Sequence, residues 1–261
     1  MGKVTSKDGT TIAYDQSGKG PAVILVEGAT GYRSFGFSPH LAELLAPHFS
    51  VISYDRRGRG ESSDTQPYAL AREVEDIDAL IDAAGGSAFV YGISSGGCLA
   101  LEAAMKLGDK IKKLAIYEAP YDSEPAARQA WKEYRNQLNE LLAANRHGDA
   151  VVLFMKFVGT PAEMIDGMRQ SPMWKTLEQV APTLAYDAAC IGEDRSVPTE
   201  RAAKVTVPTL VMSGTVLPFM RTSAESLAKA MPSAQQRTLE GQSHDVKLEV
   251  LAPVLIEFFS Q

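Results

Sequence analysis

The sequence predicts an α/β fold: a mostly parallel sheet flanked by helices, with a helical cap inserted late in the chain. Three observations carry this. Short apolar runs alternate with helical periodicity through residues 1–120. The same alternation resumes over residues 202–261. Between them, residues 121–201 are rich in Ala, Glu, Gln, Met and Arg, with helical spacing and few strand signals. Alternating strands and helices imply parallel pairing, because each crossover between parallel strands must lay a helix on a sheet face.

Thr10 to Tyr14 alternates apolar and polar residues and reads as a strand. Ala22 to Val26 is a continuous apolar run opened by Pro21, so it predicts a strand buried on both faces. Val51 to Tyr54 is another. Leu70, Val74, Ile77, Leu80 and Ile81 set a helix over residues 70–84, stopped by Gly85-Gly86. Ala88 to Tyr91 is a strand, Ser95 to Leu107 a helix ended by Gly108, and Lys113 to Tyr117 a strand. In the cap, Trp131, Leu138, Leu141 and Leu142 form one helical stripe, and Val152, Phe154, Met155 and Val158 belong to a second. Prolines 161, 172, 182 and 198 punctuate it. The core then returns with a strand (Thr209 to Met212), a helix (Ser223 to Met231), a strand (Gln236 to Leu239) and a last helix (Glu249 to Phe259).

Composition narrows the function classes. The chain has 261 residues, 45% hydrophobic and 22% charged, enough for a sizeable core without disulfide staples. Its formal net charge of −6 and the lack of a long Lys/Arg run give no footing for nucleic acid or for an anionic membrane surface. Cys98 and Cys190 lack metal-ligand or disulfide spacing and read as buried small residues. No apolar run follows the N-terminal Lys3, so no signal peptide is expected, and a soluble cytoplasmic protein is. There is no metal constellation and no Gly-rich phosphate loop, so no cofactor is expected. Composition does not fix the oligomeric state.

Chemistry concentrates in Phe89-Val90-Tyr91-Gly92-Ile93-Ser94-Ser95-Gly96-Gly97. A Gly-x-Ser-x-Gly between an apolar strand and a small-residue helix describes a sharp turn that exposes a serine at its apex. The helix behind it aims its N-terminus at the site and favours developing negative charge. Ser94 is therefore the candidate nucleophile, and the N–H of Ser95 supplies half of an oxyanion hole. A tight strand-to-helix turn with incidental serines is the plainer alternative. A serine hydroxyl needs a base. Of His40, His48, His147 and His244, only His244 follows the last strand and precedes the final helix.

These pieces together resemble the α/β-hydrolase fold with a cap. They include Val26-Glu27-Gly28, the Tyr54 to Ser62 loop with its Asp-Arg-Arg-Gly-Arg-Gly-Glu-Ser run, the Gly92 to Gly96 elbow and the His244 loop. The resemblance implies a Ser-His-acid triad and places the second oxyanion N–H at Ala29. The acid usual on the loop after the post-cap strand is missing: Ser213-Gly214-Thr215-Val216-Leu217-Pro218 has Leu217 where an aspartate would stand. Glu118 ends the preceding strand at the edge where ligands bind in open parallel sheets. Haloalkane dehalogenases and zearalenone-type lactonases keep the acid there, and the latter are similar further, in a Gly-x-Ser-Ser-Gly elbow and Glu-x-Pro. Ser94, Glu118 and His244 also follow the family order. Asp122 and Asp245 are the reserve acids, and a loop-capping or arginine-paired Glu118 is the alternative.

Glu27 stands where the family usually has His. A carboxylate there opposes an oxyanion unless it is protonated or paired, and Arg33, Arg56 and Arg57 are available partners. The expectation is a structural, ionised Glu27 held by an arginine or by backbone amides and pointing away from Ser94, with a proton-transfer role as the alternative. Met164, Met168, Met173 and Trp174 in the cap, with Phe35, Leu217 and Phe219, predict a pocket for an uncharged hydrophobic small molecule, the alternative being that most of them are the cap's own packing. The resulting function is an ester or lactone hydrolase. The alternatives are a non-hydrolytic ligand-binding member of the fold, or a carbon–carbon bond hydrolase or perhydrolase.

Overall fold

The computed structural model describes residues 1–261. Eight strands form one sheet: β1 (Gly2–Thr5), β2 (Thr11–Ser17), β3 (Ala22–Val26), β4 (Ser50–Tyr54), β5 (Ala88–Ile93), β6 (Ile111–Tyr117), β7 (Thr209–Gly214) and β8 (Ala234–Leu239). Their order is β1-β2-β4-β3-β5-β6-β7-β8. β1 and β2 pair antiparallel, as do β2 and β4, and every later pairing is parallel. The chain runs from β3 outward to β4, then crosses back to β5 on the other side. That reversal opens a crevice beyond the carboxyl ends of β3 and β5, where ligands bind in such sheets.

Helices α1 (Ser38–Leu45) and α11 (Leu248–Ser260) cover one face, and α2 (Leu70–Ala83), α3 (Ser95–Leu107) and α10 (Pro218–Ala230) the other. The period of two decides which side chain goes where. In β3, Ile24 and Val26 enter the larger core cluster, while Val23 and Leu25 enter the cluster on the opposite face. All five β3 residues are buried, which is why the segment reads as an unbroken apolar run.

Residues between β6 and β7 form six helices: α4 (Pro125–Ala143), α5 (His147–Phe157), α6 (Ala162–Arg169), α7 (Met173–Val180), α8 (Leu184–Ile191) and α9 (Thr199–Ala202). Pro161, Pro172 and Pro198 each sit immediately before a helix, where a fixed φ and a missing N–H cost least. The helices share their own apolar cluster around Trp131, Leu138, Val151 and Leu177. No helix is long and apolar enough to cross a membrane.

In the core, two elements lie outside the sequence expectation. β1 is a four-residue edge strand, too short to show alternation. α1 is eight residues long, begins at Ser38-Pro39 and has no side-chain cap.

The cap is tied to the core by buried charge. Asp187 of α8 accepts hydrogen bonds from Arg56 Nη1 at 2.6 Å, Arg59 Nη2 at 2.7 Å and Ser95 Oγ at 2.8 Å. Glu73 of α2 holds the other edge of Arg56, with both contacts at 2.8 Å. Cys190 is buried as expected but is not purely apolar, since its Sγ lies 3.4 Å from Arg56 Nη2. Asp187→Ala leaves two buried guanidinium groups short of a counter-charge and should cost about 3–5 kcal/mol of stability, read from the urea midpoint. Asp187→Asn keeps the shape and should cost less. A loss below about 1 kcal/mol for Asp187→Ala would show that the cap is not anchored there.

Candidate active site

Ser94 sits between β5 and α3 with φ 56° and ψ −130°, a conformation side chains rarely adopt. Two glycines make this possible. A Cβ on Gly92 would lie 2.4 Å from the carbonyl oxygen of Gly96, and a Cβ on Gly96 would lie 2.4 Å from those of Val26 and Glu27. The turn is thus packed against itself and against the end of β3. The Ser94 N–H donates to Tyr117 O at 3.0 Å, which pins the elbow to β6.

Glu118 follows β6 with φ 47° and is fully buried. Its Oε1 accepts the N–H of Gly214 at 2.9 Å, and its Oε2 lies 2.8 Å from His244 Nδ1. A carboxylate can only accept, so Nδ1 carries the proton and Nε2 is left to act as base. The His244 loop is strapped down around this contact: Tyr117 Oη donates to Ser243 O at 2.6 Å, and Thr215 N–H donates to Gln242 O at 3.0 Å. Ser94 Oγ makes no hydrogen bond to the ring; such contacts often tighten only when substrate binds. Neither reserve acid is bonded to the ring. Asp122 accepts the Glu124 N–H, and Asp245 is exposed.

Ala29 and Ser95 both line the cavity beside Ser94, on the two segments that would present oxyanion N–H groups. A Cβ on Gly28 would lie 3.2 Å from Ser94 Cβ, so the Ala29 loop runs directly against the elbow. Arg59 holds this loop by donating to the carbonyls of Gly28 at 2.7 Å and Gly31 at 3.0 Å.

Glu27 is buried in the same loop; of the two expected partners, an arginine or a backbone amide, it is the amide that holds it, and the expectation of a fully ionised carboxylate is corrected. Arg33 is taken by Asp15, Asp55 and Glu61, Arg57 by Asp8 and Asp76, and Arg56 by Glu73 and Asp187. The Glu27 carboxylate instead packs where Cβ atoms of Gly31 and Gly36 would be, and its Oε1 accepts the Ser38 N–H at 2.8 Å. Burial pushes its pKa up to about 7, opposed by the Ser38 hydrogen bonds and the charge of Arg59.

These groups border a cavity of about 820 Å³ with mostly hydrophobic walls. Phe35, Leu217 and Phe219 line it as expected. Met164, Met168, Met173 and Trp174 do not. The apolar faces of α6 and α7 turn toward the cap's own cluster through Ile165, Trp174 and Leu177. That leaves Met164 and Met173 exposed, Met168 packed at the cluster's margin, and Trp174 buried with its Nε1 donating to Glu178 at 3.0 Å. The cap wall of the cavity comes from α4, α5 and α8 instead, through Trp131, Tyr134, Phe154, Phe157 and Asp187. A single Asp in the otherwise apolar Leu184 to Ile191 helix was the one sequence signal for Asp187. No cluster of three or more His, Cys, Asp or Glu side chains has a metal-binding arrangement.

The alpha/beta hydrolase family model matches residues 23–252. The crystal structure of an alpha/beta hydrolase from Sphaerobacter thermophilus DSM 20745 is 49% identical, with a TM-score of 0.86, and the match covers 99% of this chain and 100% of that one. A 3-oxoadipate enol-lactonase from Acinetobacter baylyi is 25% identical over 221 residues, covering 82% of this chain and 79% of its own. The enol-lactonase structure from Burkholderia xenovorans LB400 shares the fold over the full length of both chains, at 21% identity and a TM-score of 0.69.

Glu118→Gln should lower kcat by about 10²- to 10⁴-fold, because an amide neither stabilises an imidazolium nor fixes its tautomer. Asp122→Asn and Asp245→Asn should change it far less, and a large loss from either would move the acid away from Glu118. Glu27→Gln makes a prediction in stability. A carboxyl raised from 4.5 to about 7 keeps its proton in the fold while the unfolded chain has lost it. Its contribution is therefore complete below pH 4.5 and is lost as pH rises through about 7. The melting temperature of Glu27→Gln minus that of the wild type should climb over this window and then level off. A pH-independent difference would contradict a buried, raised Glu27.

Proposed function

We propose that this chain, which belongs to the alpha/beta hydrolase family, is a serine hydrolase that opens an ester or lactone of a small molecule with an apolar body. One observation carries the proposal: the His244 ring is held at 2.8 Å by a buried carboxylate, on the cavity that also exposes Ser94. Ser94 Oγ attacks the acyl carbon as His244 Nε2 takes its proton. The N–H groups of Ala29 and Ser95 receive the oxyanion, whose charge the N-terminus of α3 also favours. His244 returns the proton to the leaving oxygen, and water, activated by the same nitrogen, releases the acid. Glu118 keeps the ring oriented and offsets the charge of the imidazolium.

The enol-lactonase relative inclines the substrate toward lactones. The buried Glu118–His244 pair favours an enzyme over a ligand-binding member of the fold, since a binding protein has no use for an oriented base.

Ser94→Ala should lower turnover by about four powers of ten or more on whichever ester or lactone the wild type accepts. Its melting temperature should stay close to that of the wild type. Comparable turnover in the purified variant would refute the serine-hydrolase reading.

A further inference from the structure

Arg195 lies between α8 and α9, with φ 61°, and lines the same cavity as Ser94 and His244. Its Nε donates to Pro120 O at 2.6 Å, two residues beyond Glu118. Its guanidinium stands over three aromatic rings, with centroids at 6.0 Å for Trp131, 5.5 Å for Phe157 and 5.2 Å for Phe219. All three rings line the cavity too.

The other arginines of the core near the site are each matched by carboxylates. Arg33, Arg56, Arg57 and Arg59 all form ion pairs at 3.0 Å or closer. Arg195 forms none, and its two terminal nitrogens have no protein acceptor. Asp122 is the neighbouring acid. It is joined to Arg195 through the backbone, its N–H donating to Arg195 O at 2.8 Å, while its carboxylate accepts from Glu124. Burial pulls the guanidinium's pKa down, with Asp122 opposing that weakly enough to leave it below the ordinary arginine value. A half-buried cation with no carboxylate bonded to it keeps its outer donors free for a ligand. Ring faces hold it in place but offer no acceptor in the plane of its fork.

We propose that Arg195 receives a carboxylate arm of the substrate, so that the ester or lactone opened at Ser94 is an acid-bearing one. This rests on the function proposed above and narrows its substrate class. A planar guanidinium presents parallel N–H donors that match the two oxygens of a carboxylate, and an aromatic surround strengthens the contact by excluding water. The substrate's body would lie among Trp131, Phe157 and Phe219, its anionic end would reach Arg195, and its acyl carbon would reach Ser94. The pocket is then apolar in its walls but selects a charge, which replaces the expectation of an uncharged substrate.

Calorimetry on Ser94→Ala with 3-phenylpropanoate and with the uncharged 3-phenylpropanamide tests this without turnover. The acid should bind at least about tenfold more tightly than the amide, the order expected for a charge-assisted contact. Adding Arg195→Gln should bring the two together, and Arg195→Lys, which keeps the charge without the fork, should recover part of the difference. A kinetic arm uses the mono-p-nitrophenyl ester of glutaric acid against p-nitrophenyl pentanoate. Arg195→Gln should reduce the ratio of their kcat/KM values about tenfold or more. Arg221→Gln, on the exposed side of α10, should not change that ratio. Equal binding of acid and amide by the Ser94→Ala protein would overturn the proposal, and so would an equal fall for both ligands in Arg195→Gln. The calorimetric result stands whether or not Ser94 proves to be a nucleophile, so failure of this proposal and failure of the hydrolase proposal are told apart.

Discussion

The buried carboxylate of Asp187 is the constraint on which the site depends. It belongs to the cap, yet its partners are Arg56 and Arg59, two of the three arginines that follow β4, and the hydroxyl of Ser95 at the start of α3. Those arginines carry the arrangement onward. Arg59 reaches the carbonyls of Gly28 and Gly31, and Arg56 reaches the carbonyl of Glu27 at 3.3 Å. One carboxylate therefore ties together the cap, α3 and the loop bearing Ala29. In a medium of low polarity none of these charges can lose its partner cheaply, so the cap position and the Ala29 loop are set by the same requirement.

The placement of Glu118, the proposed triad acid, follows from the register of two neighbouring strands. Tyr117 of β6 pairs with Met212 of β7, and the Glu118 N–H continues the ladder to Met212 O at 2.9 Å. The next free N–H on β7 is that of Gly214, and the Glu118 carboxylate takes it. Gly214 must be glycine, because a Cβ there would lie 2.1 Å from Gln242 O in the His244 loop. With Glu118 as the proposed acid, the position after β7 needs no carboxylate, and Leu217 lines the cavity there. The serine, acid and histidine thus come from the ends of three strands whose spacing the sheet fixes.

Much of this was legible in the sequence, for identifiable reasons. β3 and β5 are short apolar runs because parallel strands are covered on both faces, and the elbow shows itself through glycines that steric contact demands. Glu118 was legible because it ends an apolar strand and the usual acid position holds a leucine. The cavity lining was not. A helical stripe such as Trp131 to Leu142 announces that a face is buried but not against what, so the methionines of α6 and α7 looked like pocket while α4, α5 and α8 supplied it. The Glu27 environment was hidden for the same reason, since an arginine-rich loop nearby does not say which carboxylate each arginine meets. Arg195 left no mark in local periodicity, because its surroundings are rings contributed by three other segments.

The central claim is that the elbow, the oriented histidine and the buried acid make Ser94 a reactive nucleophile. Treatment with a fluorophosphonate, followed by intact-mass measurement and peptide mapping, tests it most directly, because the reagent bonds to an activated serine whatever the natural substrate is. The account predicts one adduct per chain, located on Ser94. An unmodified protein, or an adduct confined to another residue, would contradict it.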